Sequence, residues 1–146
     1  MQTKESILKA AKDFDDAIET REIDHILPFF DEECMIELLG ISLQGYEGAQ
    51  KWLEWMFQHL NRISFDPIII MVEGNIFFEE FVMNGILHDG RSVKSKQAEV
   101  LVYENSLVKC LSLYFDRLNF VKAVDGGWIT KKIIKKLIDE SIQGLI

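Results

Sequence analysis

Two neighbouring acids and a third downstream are the residues of this sequence whose types and spacing could do chemistry. Glu79 and Glu80 precede an Asp89-Gly90 turn signal and Glu99 follows it, in a stretch dense in β-branched and aromatic residues. If Asp89-Gly90 sits in a four-residue hairpin loop, Leu87 faces Ser92, and counting back along both strands sets Glu80 opposite Glu99. Directly opposed side chains in an antiparallel pair have Cβ atoms about 4.5 to 5.5 Å apart. Two carboxyl groups that close can share a proton and one pKa rises, which provides an acid and a base in one place. Like charges opposite each other also destabilise a sheet, so solvated acids on a strand face are the competing expectation. A register shift of one residue would turn Glu80 out and bring Glu79 in.

Other chemistries find less support. His25, His59 and His88 fall on a helix, a helix end and a turn, and no spacing places two of them as ligands on one face, so no metal is expected. No Gly-rich phosphate loop precedes a helix, no nucleophile elbow is present, and Ser112 has no histidine near it in sequence. Asp116 closes a strand pattern in which Leu111, Leu113 and Phe115 share one face and Ser112, Tyr114 and Asp116 the other. It is either an acid of the site or a strand-end residue that satisfies nearby backbone.

The elements that must position these groups follow from periodicity. Ile7, Ala11, Phe14 and Ile18 recur at helical spacing after Thr3, an expected N-cap, so residues 3–20 form an amphipathic helix. A short helical segment over Ile23–Phe29, with Pro28 near its end, leads into an extended stretch over Glu33–Leu39. A further helix spans Tyr46–Leu60, with Ala49, Trp52, Leu53, Met56 and Leu60 on one side. From Ser64 to Asp116, turn signals at Gly74-Asn75, Asp89-Gly90 and Asn105-Ser106 divide a four-strand meander. Helices first and a meander later give an α+β fold, one sheet face covered by helices. After a Gly126-Gly127 break, Lys131, Lys132, Lys135 and Lys136 alternate with Ile129, Ile133, Ile134, Leu137 and Ile138 in a basic-rimmed amphipathic helix, docked on its own domain or a twin subunit, or lying on a membrane surface.

Composition bounds the rest. At 146 residues and 48% hydrophobic content, one domain with a substantial core is expected, residues 1–120, extended by the helix in 121–146. The net charge of −8 repels a phosphate backbone and argues against nucleic acid. Residues 119–146 differ, carrying +2 against −10 for the remainder. Cys34 and Cys110 lie far apart among apolar neighbours, as in a reduced, cytoplasmic protein. The longest aliphatic run, Ile68 to Val72, is too short to span a bilayer.

Three stretches resemble the SnoaL-like and ketosteroid-isomerase-like branch of the nuclear-transport-factor-2-like superfamily: Phe29-Phe30-Asp31-Glu32-Glu33-Cys34, Gly45-Tyr46-Glu47-Gly48-Ala49 and Leu113-Tyr114-Phe115-Asp116. The resemblance implies a cone-shaped, strongly curved, mostly antiparallel sheet packed on N-terminal helices, a pocket between them, and a homodimer through the sheet. The base, tyrosine donor and protonated acid of ketosteroid isomerases would fall on Leu38, Phe14 and Glu99. Leucine abstracts no proton and phenylalanine donates none, so that reaction is not expected. The Arg, two Asp, Tyr and Asn of limonene-type epoxide hydrolases would fall on Glu80, Val82, Leu113, Ile36 and Leu38, which lack the water-activating network. The acid of polyketide cyclases has two candidates, Asp116 and Glu99.

The resemblance also orients the strands, sending Ser95, Gln97 and Glu99 inward, and Glu80, Val82 and Asn84 with them. The expectation is therefore a cofactor-free pocket for a hydrophobic small molecule, with Glu99 as acid or base and Glu80 and Asp116 as further candidates. Gln97, Asn84, Ser95, Trp52, Met56, Phe14, Leu38, Leu113 and Phe115 would bind the ligand. Isomerase, cyclase or hydrolase chemistry is open, as is a non-catalytic binding or dimerisation module whose pocket is filled by its own side chains.

Overall fold

Thr3 caps the first helix as its sequence requires. In the computed structural model, which describes residues 2–123 and 127–146, its hydroxyl accepts from the Ser6 N–H while Ser6 Oγ accepts from the Thr3 N–H, a reciprocal cap. Helix α1 runs Lys4–Thr20 and buries Ile7, Ala11, Phe14 and Ile18, the expected stripe. Arg21 ends it in the left-handed region, returning its N–H to the Ile18 carbonyl. A short helix, α2 (Ile23–Ile26), and a 3-10 turn over Leu27–Phe29 lead into the sheet.

Strand β1 (Phe30–Leu38) turns through Leu39 and Gly40 into β2 (Ile41–Gln44), a short strand that the sequence pattern does not reveal. Helix α3 (Gly45–His59) follows, burying Ala49, Trp52, Leu53, Met56 and Phe57. The meander is then β3 (Leu60–Glu73), β4 (Ile76–Leu87), β5 (Ser92–Glu104) and β6 (Leu107–Phe115), as the turn signals predict. The six strands form one curved sheet in the order β2-β1-β6-β5-β4-β3. Every neighbouring pair is antiparallel except β1 with β6.

Register shifts interrupt the ladders at Leu60/Arg62 and Pro67/Ile69 in β3 and at Val102/Tyr103 in β5. Such bulges bend strands, and here they curl the sheet over α1 and α3. Pro67, which donates nothing to a ladder, sits on the edge strand beside one bulge. On the concave face Phe14 meets Phe30 edge-on at 5.3 Å, and Phe30 meets Trp52 at 6.3 Å. Truncating a fully buried aromatic in such a core costs about 3–5 kcal/mol.

Beyond a 3-10 segment at Arg117–Ala123 lies α4 (Trp128–Ser141), the expected basic-rimmed helix; Gly126 of the break before it lies outside the described residues. None of the residues of α4 is buried, so it does not pack its apolar side into the domain. Among the described residues no helix is long and apolar enough to cross a membrane.

Candidate functional site

The hairpin between β4 and β5 sets the parity of the site, and it differs from the expected one. The last paired residues are Ile86 and Ser92, with the Leu87 N–H donating to the Arg91 carbonyl and the Gly90 N–H to that of Leu87. Five residues therefore separate the paired positions rather than four, which moves every β4 partner by one. Glu79, not Glu80, stands opposite Glu99, while Glu80 pairs with Ala98. Phe77, Glu79, Phe81 and Met83 are buried on the concave face.

Glu80, Val82 and Asn84 consequently face outward, correcting their expected place in the pocket. Glu80 forms an ion pair with Lys96 at 3.3 Å, and Asn84 Nδ2 donates to Asp66 at 2.7 Å. Asp116 is exposed and accepts from the Leu118 N–H at 2.9 Å, so it is a strand-end residue satisfying backbone rather than an acid of the site.

A cavity of about 330 Å³ opens between the concave sheet and helices α1 and α3. Of the residues expected there, Glu99, Gln97, Trp52, Met56, Leu113 and Phe115 do line it. Ser95, Phe14 and Leu38 are buried but lie outside its wall, Phe14 being spent in the aromatic packing with Phe30. Ser95 acts one step back: its Oγ accepts from Gln97 Nε2 at 3.2 Å and donates to Asn119 Oδ1 at 2.9 Å, which fixes the Gln97 amide. Two aromatic pairs, Phe65 with Phe81 and Phe115 with Phe120, lie edge to face at 5.5 and 5.4 Å and give the wall much of its surface. Trp55, His59 and Arg117 line the cavity while remaining exposed, so they mark its mouth.

A third carboxyl joins the pair. Asp15 on α1 follows Ala11 by four residues and precedes Ile18 by three, so it stands at the margin of the buried stripe and faces the sheet. One carboxylate oxygen from each of Asp15, Glu79 and Glu99 falls within 4.8 Å of the other two. Glu79 is 2% exposed and Glu99 7%. Among the described residues no Lys or Arg forms an ion pair with any of the three. Two buried donors of the same interior, Tyr103 Oη and Trp52 Nε1, make no hydrogen bond among the described residues, to these carboxylates or to any other group.

Burial and mutual repulsion both oppose ionisation here. Burial first, then the charges of Glu79 and Glu19, push Asp15 up to about 8. Glu99 lies well above the usual carboxylate range because it is buried and faces Asp15 and Glu79, and burial raises Glu79 as well. The buried Tyr103 phenol is held above its ordinary range by the same surroundings, with Glu99 the largest charge acting on it. All three shifts favour the protonated form, and carboxyl groups this close titrate as a coupled set that can hold acid and base within reach of one another, the requirement for moving a proton from one ligand atom to another. The three oxygens could also surround a cation.

Residues 11–109 match the SnoaL-like domain family. Curated protein sequences give no match. Solved structures similar to this chain share its fold at low identity. A putative polyketide cyclase from Xanthomonas campestris pv. campestris superposes with TM-score 0.75 at 15% identity, over 84% of this chain and 98% of that one. An NTF2-like protein of unknown function from Burkholderia pseudomallei gives 0.73 at 14%, over 83% and 98%. SalBIII, an epoxide hydrolase/cyclase-like enzyme with a role in pyran ring formation in the polyether salinomycin, gives 0.73 at 11%, over 82% and 97%. With a curved six-strand sheet closed by helices, and a family match over more than half its length, this chain belongs to the SnoaL-like domain family.

Proposed function

We propose that this protein binds a hydrophobic small molecule in the cavity and moves protons on it with Asp15, Glu79 and Glu99, without an organic cofactor. The observation that carries this is the carboxyl cluster on the wall of an open, largely apolar cavity. Glu99, buried and held well above the usual carboxylate range by burial and by its acidic neighbours, is the acid that donates to an electron-rich ligand atom. The ionised member of the cluster is the base that accepts a proton from a neighbouring position. Gln97, fixed through Ser95 and Asn119, orients the ligand. Isomerisation, cyclisation and hydrolysis can each run on such a pair, and structures of the same fold include a putative polyketide cyclase and an epoxide hydrolase/cyclase-like enzyme.

A non-catalytic module with a pocket filled by its own side chains is less well supported, because about 330 Å³ stays open beside Glu99. A homodimer through the sheet is part of the proposal, supported by Tyr114 and Met71, large side chains that are 60% and 59% exposed. A cytoplasmic location belongs to it too, supported by the free thiols of Cys34 and Cys110.

Two measurements test the proposal. The neutral dye N-phenyl-1-naphthylamine should brighten on binding one site per chain, and Leu113→Trp, which fills the cavity, should abolish the signal. Carboxyl-carbon NMR titration should find Glu79 and Glu99 titrating above ordinary glutamate. Normal titration of both, at about 4.3, would remove the acid/base pair.

A further inference from the structure

We infer that the ligand of this cavity is a hydrophobic organic ammonium ion, its nitrogen at the Asp15, Glu79 and Glu99 carboxylates and its apolar body against the aromatic wall. The inference rests on the small-molecule function proposed above and gives it a substrate class.

Charge complementarity comes first. Three carboxyl groups converge on one wall, two of them more than nine-tenths buried, and among the described residues no cation is paired to any of them. Among the described residues they also receive no hydrogen bond from outside the cluster: Gln97 Nε2 turns to Ser95, and the buried Tyr103 and Trp52 donors are unpartnered. Buried carboxyl groups are ordinarily paired or hydrogen-bonded. A positive ligand supplies the missing partner and removes the repulsion among the three. Arg117 also lines the cavity, but it is exposed at the mouth and its guanidinium is directed to the Leu39 carbonyl at 3.4 Å.

The rest of the wall selects the kind of cation. A divalent metal keeps several oxygen ligands or waters. Beyond the cluster this cavity offers Phe65, Phe81, Phe115, Phe120 and Trp52, whose π surface attracts alkylammonium groups and packs against hydrocarbon. A volume of about 330 Å³ has room for a ring-bearing amine as well as its charged head.

Displacement of N-phenyl-1-naphthylamine by two probes of the same shape tests this. Benzyltrimethylammonium carries a permanent charge, and 2,2-dimethylpropylbenzene replaces its nitrogen with carbon. At pH 8 the cation should compete at least about tenfold better than the neutral probe, the preference of a charge meeting desolvated carboxylates and aromatic faces. The Glu79→Gln/Glu99→Gln double variant should lose the preference and keep the dye, since amides match protonated acids in shape. Glu80→Gln, on the outer face, should retain the preference. As pH falls from 8 to 5.5 the cation should weaken while the neutral probe holds constant. Equal competition by the two probes in a wild type that binds the dye would overturn the ammonium assignment and leave the small-molecule pocket intact. Stronger competition by calcium ion than by the ammonium would overturn it in favour of a metal. Failure of the wild type to bind the dye would overturn the pocket itself, and this inference with it.

Discussion

Glu79 on β4 stands directly across the ladder from Glu99 on β5, and both side chains point into the concave face beside Asp15 of α1. Two buried acids in register, with no cation paired to them among the described residues, are an unusual pairing for a sheet, since like charges at that position are repulsive. The pair is tolerated because the folded protein holds protons there that an unfolded chain would release.

Stability should therefore fall as pH rises. A carboxyl whose folded pKa exceeds its unfolded value binds more protons in the folded state between the two, and each unit of separation is worth about 1.4 kcal/mol. For Asp15 the window runs from its ordinary 3.8 to about 8, and Glu79 and Glu99 shift in the same direction. The contribution is fully present below the unfolded value and lost on passing through the folded one. Urea unfolding at steps from pH 5 to 8 should show a declining free energy, and Asp15→Asn or Glu99→Gln should flatten the decline. A wild-type profile that rises over this range would contradict the buried cluster.

Glu79 and its sequence neighbour should behave oppositely. Glu80→Gln breaks a partly solvated pair with Lys96, an interaction worth about 0–1 kcal/mol, and should leave dye binding unchanged. Glu79→Gln removes an ionisable group from the cluster and should shift the titration of Glu99 downward, because a nearby negative charge is gone. Carboxyl NMR on the two variants checks this directly. Were Glu80→Gln to move Glu99 and Glu79→Gln not, the strand parity would be the reverse of that described.

This contrast marks how far the sequence alone carries. The stripes of α1 and α3 and the turns of the meander were legible because a period of 3.6 or 2 repeats over many residues and survives small errors of phase. Parity does not survive them: five residues rather than four separate the last paired positions, Ile86 and Ser92, and that alone exchanges Glu80 for Glu79. Strand β2 is four residues long, too short for alternation to register. Asp15 could have been found from its spacing to Ala11 and Ile18, but an acid near an apolar stripe ordinarily marks the solvent boundary. Only the sheet brought around by the bulges turns that boundary into a cavity wall.

Tyr103→Phe should not destabilise the protein. The hydroxyl is buried and has no partner among the described residues, so its folding desolvation, about 1–3 kcal/mol, is uncompensated. Phenylalanine keeps the packing and removes that penalty. Chemical denaturation should give an unfolding free energy equal to or above that of the wild type. A loss of more than about 1 kcal/mol would mean that the hydroxyl has a partner in solution, with a cluster carboxylate the first to test.

Gly48→Ala should be destabilising, against helix propensity. Within a helix, alanine is favoured over glycine by about 1 kcal/mol. A methyl group at Gly48 of α3 would, however, lie 2.9 Å from the backbone carbonyl carbon of Leu43 and 3.0 Å from its Cβ. Neither is the free end of a flexible side chain, so relief requires moving β2 or the start of α3. Overpacking of this kind costs about 1–3 kcal/mol, enough to cancel or exceed the propensity gain. The alanine variant should melt below the wild type, and a higher melting temperature would show that β2 yields to α3 more readily than this close approach implies.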